Sequence, residues 1–160
     1  MRTFLTLSGG FSGGLIVLDY VITSLTLAKI LKNIGYPRTE FAWIPILNIY
    51  VLATVMTKGI DSTNVFFVNI PTNIYRICWF FVMILGLLPF SITKIAFVAR
   101  VFYFGDLYAR VYASLEHDSV DNHNALGIIS AIIPIIVVIK TLSAPDMPMQ
   151  VEHRSADLVA

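Results

Sequence analysis

Polar side chains interrupt the apolar runs of this sequence at a few positions, and these are its candidates for chemistry. Asp19 lies within the run FSGGLIVLDYVITSLTLAKIL, and Thr23 and Thr26 follow it at spacings of four and three residues. Those spacings place the three side chains on one face of a helix. Because a carboxylate inside an apolar helix is costly, Asp19 predicts either a buried ion pair that fixes packing or a path for ions or protons.

The same question of packing or pathway applies to four further polar residues. Arg76 and Lys94 are the candidate counter-ions for Asp19, since each lies near one end of an apolar run. Asn48 and Asn73 follow prolines in the related stretches IPILNIY and NIPTNIY. A proline leaves a backbone carbonyl unpaired, and an amide side chain both donates and accepts, so the asparagines can compensate for that loss.

A different pattern of charge occurs in the aromatic stretch ARVFYFGDLYARVYASLEHD. Asp106 and Arg110 stand four residues apart there, which predicts a helical ion pair on an amphipathic helix at a membrane interface. Asp19 and Asp106 together would suit an intramembrane aspartyl protease. However, Tyr103 stands where the G-x-G-D motif of such enzymes has its first glycine, which argues against that activity.

Other catalytic and metal sites are disfavoured on simpler grounds. The three histidines lie in polar stretches, and the sequence contains no metalloprotease, phosphate-loop or dinucleotide motif. The stretch EHDSVDNH, residues 116–123, holds metal-type ligands, but a solvated loop is the favoured interpretation. We therefore predict a protein that is not an enzyme and has no catalytic, cofactor-binding or metal-binding residues.

The composition indicates a membrane environment. The chain is 57% hydrophobic and 13% charged, with a mean hydropathy of +0.79, whereas soluble domains carry about 25% charged residues. The net charge of +1 and the lack of a Lys/Arg cluster exclude nucleic acid as a partner. Cys78 is the single cysteine, so neither an intrachain disulfide nor a thiolate metal site can form.

The apolar stretches predict an all-α fold, a membrane-embedded bundle of about four transmembrane helices. The predicted spans are about 11–31, 41–56, 76–98 and 125–142, with an interfacial amphipathic helix at 99–118. The membrane domain would cover residues 1–142, and residues 143–160 would form a polar tail. The second stretch is short enough either to cross or to re-enter, and the basic residues are too evenly distributed to fix the orientation.

One stretch resembles a known family. The run GYPRTEFAWIPILNIYVL, residues 35–52, resembles a hairpin of small, mostly uncharacterised bacterial multi-span membrane proteins. The matching positions are Gly35, Pro37, Trp43, Pro45, Asn48 and Tyr50. The resemblance implies a multi-pass protein of the bacterial cytoplasmic (inner) membrane, and it transfers no active site.

These features together predict a non-enzymatic role. We expect a small integral membrane subunit or accessory protein that packs against other membrane proteins in a larger complex. Its expected partners are membrane lipid, other integral membrane proteins or further copies of itself as a homo-oligomer. One alternative is a small channel or transporter component that uses Asp19 and the proline-broken helices. Another is a membrane protein of immunity or defence.

Overall fold

A computed structural model of the chain describes residues 20–21, 23–45, 47–86, 90–145, 148–154 and 157. Helix α1 comprises the helical residues 20–21 and 23–33. It is followed by α2 (Leu47–Met56), α3 (Thr72–Gly86), α4 (Phe90–Glu116), α5 (Asn124–Ile132) and α6 (Ile135–Ser143). Short 3-10 helices occur at Thr39–Trp43 and Val120–His123, and strands β1 (Ser62–Val65) and β2 (Val68–Pro71) lie between α2 and α3.

The two strands form an antiparallel hairpin in which Ser62 pairs with Pro71 and Val65 with Val68. Its turn consists of Phe66 and Phe67, and Phe66 has a φ of 56°, a left-handed conformation that is unfavourable for a bulky side chain. The predicted all-α fold class is therefore wrong. The segment alternates β-branched residues, as strands do, but its turn has no glycine or asparagine, so the usual hairpin signal is missing.

The core lies between α1, α2, α3 and the C-terminal half of α4. Helix α4 packs against α2, α3, α5 and β1, so its second half is enclosed on several sides. Fully buried α4 side chains are Asp106, Leu107, Ala109, Arg110, Val111, Tyr112, Ala113 and Ser114. The predicted interfacial helix at 99–118 is therefore wrong, because most of that stretch belongs to this enclosed half of α4.

Small residues bring α4 and α5 close together. Gly105, Ala109 and Ala113 recur at intervals of four along α4, and Gly127 lies opposite them on α5. A Cβ added at Gly127 would overlap the carbonyl oxygen of Gly105 and would lie 2.9 Å from the Ala109 amide nitrogen. The contact between the two helices thus depends on the absence of a side chain at residue 127.

Within the described ranges, no helix is both long enough and apolar enough to cross a membrane. Helices α2, α5 and α6 contain 10, 9 and 9 residues, so each rises about 15 Å or less against a hydrocarbon core of about 30 Å. Helix α4 has 27 residues but carries five charged side chains, Lys94, Arg100, Asp106, Arg110 and Glu116. The predicted bundle of four transmembrane helices, and with it the multi-pass location in the bacterial cytoplasmic membrane, is therefore wrong.

Three of the four predicted spans are interrupted in the structure. The stretch 41–56 contains the end of a 3-10 helix before α2 begins, and the stretch 76–98 is divided between α3 and α4. The stretch 125–142 is divided between α5 and α6 at Ile133 and Pro134, where proline can begin a helix but cannot continue one. Residues 11–19 of the first predicted span lie outside the described residues.

Candidate functional site

Four charged residues form a buried cluster between α4 and the C-terminal segment. This ionic cluster consists of Asp106, Arg110, Arg154 and Asp157, all of them buried. Arg110 Nε donates to Asp106 Oδ2 at 2.9 Å, and Arg110 Nη1 donates to Asp157 Oδ2 at 2.8 Å. Arg154 Nη2 donates to Asp106 Oδ1 at 2.8 Å. Two carboxylates therefore balance two guanidinium groups, which is the condition under which buried charge is tolerated.

Two neutral donors complete the cluster. The Tyr75 hydroxyl donates to Asp106 Oδ2 at 2.8 Å, and the backbone N–H of Asn64 on β1 donates to Asp157 Oδ1 at 2.6 Å. Burial, reinforced by the negative charge of Asp106, raises the pKa of Tyr75 well above its usual value. The phenol therefore keeps its proton and acts as a fixed hydrogen-bond donor, which does not suit it to be a base.

Arg110 and Asp157 are held in their ionised forms. Burial alone would lower the pKa of Arg110, but Asp106, Tyr75 and Asp157 together outweigh it and raise that pKa above its usual value. Burial alone would raise the pKa of Asp157, but hydrogen bonding to Arg110 and the positive charge of Arg110 lower it. A carboxylate and a guanidinium that stabilise each other's charge in this way can hold a structure together, but they do not exchange protons near neutral pH.

Arg154 lies in a pocket of its own, which we call the Arg154 pocket and define by Asp106, Asp121, Asn124 and Phe66. Besides its bond to Asp106, the guanidinium donates to Asn124 Oδ1 at 2.5 Å and to Asp121 Oδ1 at 3.3 Å. Its central carbon lies 5.2 Å from the centre of the Phe66 ring, within the range of a cation–π contact. The left-handed residue at the hairpin turn thus provides the aromatic wall of this pocket.

The C-terminal segment lies against several elements without forming a helix or strand over residues 148–154. The N–H of Met149 donates to the carbonyl of Asn33 at 2.9 Å, and the N–H of Glu152 donates to Ser114 Oγ at 3.2 Å. Nothing in the sequence pattern of this polar segment indicates that it enters the core. Sequence reasoning therefore missed Arg154 and Asp157 as members of the cluster.

Comparison of the chain with protein-family models, with curated proteins and with solved structures finds no match. The resemblance of residues 35–52 to a bacterial membrane-protein hairpin is not tested by these comparisons and stays a prediction.

The residues proposed for packing or a pathway occupy different environments. Asp19 lies outside the described residues. Thr23 and Thr26 line a narrow cleft of about 30 Å³ that also contacts α2, α4 and α6. Asn48 is buried on α2, where its Oδ1 accepts the N–H of Ile49 at 2.6 Å. Asn73 on α3 and Lys94 on α4 are exposed.

Arg76 has a structural role at the end of α2. Its Nε donates to Thr57 Oγ1 at 3.1 Å, and its Nη2 donates to the carbonyl of Thr57 at 3.2 Å. A cation at this position satisfies a free carbonyl and interacts favourably with the helix dipole. In the described part of the chain no hydrogen bond or ion pair joins Arg76 to Asn48 or Asn73, so a shared pathway stays a prediction.

The polar loop after α4 and the single cysteine show no arrangement suited to metal or nucleophilic chemistry. His123 Nε2 lies 3.5 Å from Asp118 Oδ2 and 3.7 Å from Glu116 Oε2, while Glu116 also pairs with Lys140 at 2.6 Å. Over the described ranges no group of three His, Cys, Asp or Glu is placed to hold a metal ion. Burial raises the pKa of the Cys78 thiol, which keeps it protonated and a poor nucleophile.

Apolar side chains are exposed along α3 at regular intervals. Ile74, Ile77, Phe81 and Ile84 are 52%, 44%, 54% and 41% exposed, and they follow one another at spacings of three, four and three residues. We call these four residues the α3 stripe. Spacings that alternate between three and four keep side chains in one row along a helix. The stripe is therefore a continuous apolar row, not a scatter of single exposed residues.

His153 is near Arg110 of the ionic cluster, and we expect it to make the stability of the folded chain depend on pH. Burial, and then the positive charge of Arg110, lower the pKa of His153 below its usual value. The unfolded chain therefore binds this proton more readily than the folded chain does. Stability is full above about pH 6.5, the pKa of an unperturbed histidine, and falls as the pH decreases from there towards the folded pKa.

The measurement is the urea midpoint of the wild type at about pH 7.5 and about pH 5.5. We expect the decrease in the midpoint at the lower pH to be smaller in His153→Gln than in the wild type, because glutamine does not titrate. In the control His117→Gln, at an exposed site, the decrease should equal that of the wild type. Equal losses in the wild type and in His153→Gln would contradict the assignment.

Proposed function

We propose that this protein is a non-enzymatic subunit that packs against another protein of a larger complex through the α3 stripe. The observation that carries the proposal is that α3 is apolar on two faces. Its inner face buries Tyr75, Trp79 and Val82 in the core, while its outer face carries the stripe. A helix that is apolar all round is normally buried all round, so the outer face lacks a covering surface within the described chain.

The chemistry of the stripe defines the partner surface. The four side chains are uncharged, and the cation nearest to them along the helix, Arg76, is engaged with Thr57. A surface of this kind is covered by apolar side chains in turn, and the regular spacing suits a second helix packed alongside. Burying a fully exposed Ile or Phe gives about 1.5–3 kcal/mol. The four side chains of the stripe are 41–54% exposed, so each can still gain about half of that, and together they can anchor an interface. The partner we propose is therefore an apolar helix of another protein.

The state of the ionic cluster supports a role without catalysis. Its carboxylates and guanidinium groups bond to one another, and Tyr75 acts as a proton-retaining donor, so the cluster functions as a structural element. The channel alternative depends on Asp19, outside the described residues, and no observation favours it or a defence role. Membrane lipid, integral membrane proteins and homo-oligomers stay predictions as partners.

The test is the native mass of tagged full-length protein in mild detergent, with the identity and ratio of what accompanies it. We expect a second protein at fixed stoichiometry with the wild type and its loss with the double variant Ile77→Gln/Phe81→Gln. The matched control, Ile139→Gln/Leu142→Gln, removes two exposed apolar residues from α6 and should retain the partner.

Three results would overturn this proposal. A wild type that runs as a single chain of 17.8 kDa would show that the stripe needs no partner. Equal loss of the partner in both double variants would show that association is general apolar adhesion. An assembly of this chain alone, lost in the stripe variant, would instead reject the accessory role and make the stripe a self-association surface.

A further inference from the structure

We propose that the Arg154 pocket, together with Arg110 and Asn64, is a recognition site for a peptide of the form Arg-x-x-Asp. In this structure the chain's own C-terminal segment fills it, and the occupant that we infer in trans is the C-terminal segment of a second copy. Arg154 and Asp157 are the two recognised residues. The site is distinct from the α3 stripe, and the proposal does not depend on the proposed function.

The site has a separate receptor for each charge. The receptor for arginine combines the carboxylates of Asp106 and Asp121, the amide oxygen of Asn124 and the ring of Phe66. Acceptors at two different guanidinium nitrogens and an aromatic ring within cation–π range suit arginine, which presents several donors from one planar fork. A point charge such as an ammonium group would not make this combination.

The receptor for aspartate is equally specific. Arg110 Nη1 and the Asn64 N–H donate to different oxygens of Asp157, at 2.8 Å and 2.6 Å. Within the segment, the N–H of Arg154 also donates to Asp157 Oδ2 at 3.1 Å, and the N–H of Asp157 donates to the carbonyl of Arg154 at 3.0 Å. These bonds hold Arg154 next to Asp157, so the two side chains, three positions apart in the sequence, both enter one site.

The receptor groups come from four elements that do not include the segment. The four are β1 with its hairpin turn, α4, the 3-10 helix after α4, and the start of α5. Residues 148–154 themselves form no helix or strand, and the segment's two charged side chains bury deeply, as the anchors of a bound peptide do. The geometry is that of a peptide in a receptor site, with ligand and receptor joined in one chain.

The segment is also suited to exchange. Desolvation of buried ion pairs offsets most of their attraction, so such pairs provide more specificity than net stability. In the described structure Arg154 Nε and His153 Nδ1 are buried without a hydrogen-bond partner, which further weakens the hold on the segment. A second copy of the sequence offers the same contacts, so exchange between copies replaces each contact by its equivalent.

The experiment uses a labelled peptide of residues 148–160, PMQVEHRSADLVA, and full-length Arg154→Ala/Asp157→Ala protein, in which both receptors are vacated. We expect saturable binding to the vacated protein, about tenfold or more tighter than to the wild type, whose own segment competes. A peptide with Arg154→Lys should bind about tenfold more weakly, because lysine lacks the planar fork. Asp121→Asn added to the vacated protein should also weaken binding, since Asp121 contacts the guanidinium.

A second measurement needs no variant to fold. Excess wild-type peptide should speed proteolysis of the released C-terminal segment in the wild-type protein, whereas the lysine peptide should not. The vacated protein is first shown to be folded by its circular dichroism. The proposal would be overturned if the peptide bound this protein and the wild type with equal affinity, or if it bound neither. Unchanged proteolysis at saturating peptide would overturn it as well.

Discussion

Asp106→Ala is expected to lower the free energy of unfolding by about 3–5 kcal/mol, the range measured when one partner of a buried ion pair is removed. The side chain is fully buried and accepts hydrogen bonds from Tyr75, Arg110 and Arg154. Alanine would leave Arg110 with the carboxylate of Asp157 but would leave the buried Arg154 with only Asp121, an exposed carboxylate 3.3 Å away, so one positive charge in the core would be poorly compensated. That poorly compensated charge, more than the lost hydrogen bonds, is the reason for the size of the effect.

The measurement is urea unfolding followed by far-ultraviolet circular dichroism, with the slope checked for constancy. Asp61→Ala is the matched control, because Asp61 is an exposed carboxylate and surface substitutions of this kind stay within about 0.5 kcal/mol. A loss below about 1 kcal/mol for Asp106→Ala would show that water reaches the cluster.

A double variant separates the charge from the packing. Asp106→Leu/Arg110→Met removes one charge of each sign and replaces both residues by apolar side chains of similar length. Buried ion pairs replaced in this way often give a protein of equal or greater stability. Here, however, Arg154 and Asp157 would both lose their partners on α4. The bond that joins these two residues to each other runs from the backbone N–H of Arg154 to Asp157 Oδ2. We therefore expect partial recovery relative to Asp106→Ala.

The sequence predicted Asp106 and Arg110 as an ion pair on an interfacial helix and gave no sign of their buried partners, for a physical reason. Asp106 and Arg110 are one helical turn apart, so their spacing alone brings them together; the structure adds that they are enclosed, at 2.9 Å. Their partners Arg154 and Asp157 lie 48 and 47 residues further along the chain. No local spacing reports a contact over that distance, and a polar segment with prolines normally indicates an unpacked end.

The membrane prediction was wrong for a related reason: it rested on local apolar content, which does not report where helices end or pack. The apolar stretches of the sequence predict continuous spans, but helices begin and end within these stretches, as at Ile133 and Pro134. Apolar residues such as Leu52 and Leu107 fill the core, and composition alone does not separate that use from contact with lipid. Predominantly helical structure, by contrast, follows from the local pattern and was predicted.

Gly127→Ala is expected to destabilise the protein by about 1–3 kcal/mol or more, the range for overpacking. On an exposed helix the same change would stabilise by up to about 1 kcal/mol, because alanine is the better helix former. The sign reverses here because the new methyl group would overlap the carbonyl oxygen of Gly105 and lie 2.9 Å from the Ala109 nitrogen. Both neighbours are backbone atoms of α4, which cannot rotate away as a side chain can.

Relief requires α5 to move away from α4, and that movement affects the Arg154 pocket. Asn124 at the start of α5 accepts from the Arg154 guanidinium, so displacement of the helix would loosen the C-terminal segment as well. Gly105→Ala is the graded control: its Cβ would lie 3.3 Å from Ile128, whose side chain can adjust in part, so we expect a smaller loss. Thermal unfolding should rank the wild type above Gly105→Ala and Gly105→Ala above Gly127→Ala, with faster proteolysis of the C-terminal segment in the last. An increase in stability for Gly127→Ala would mean that the two helices are not in close contact.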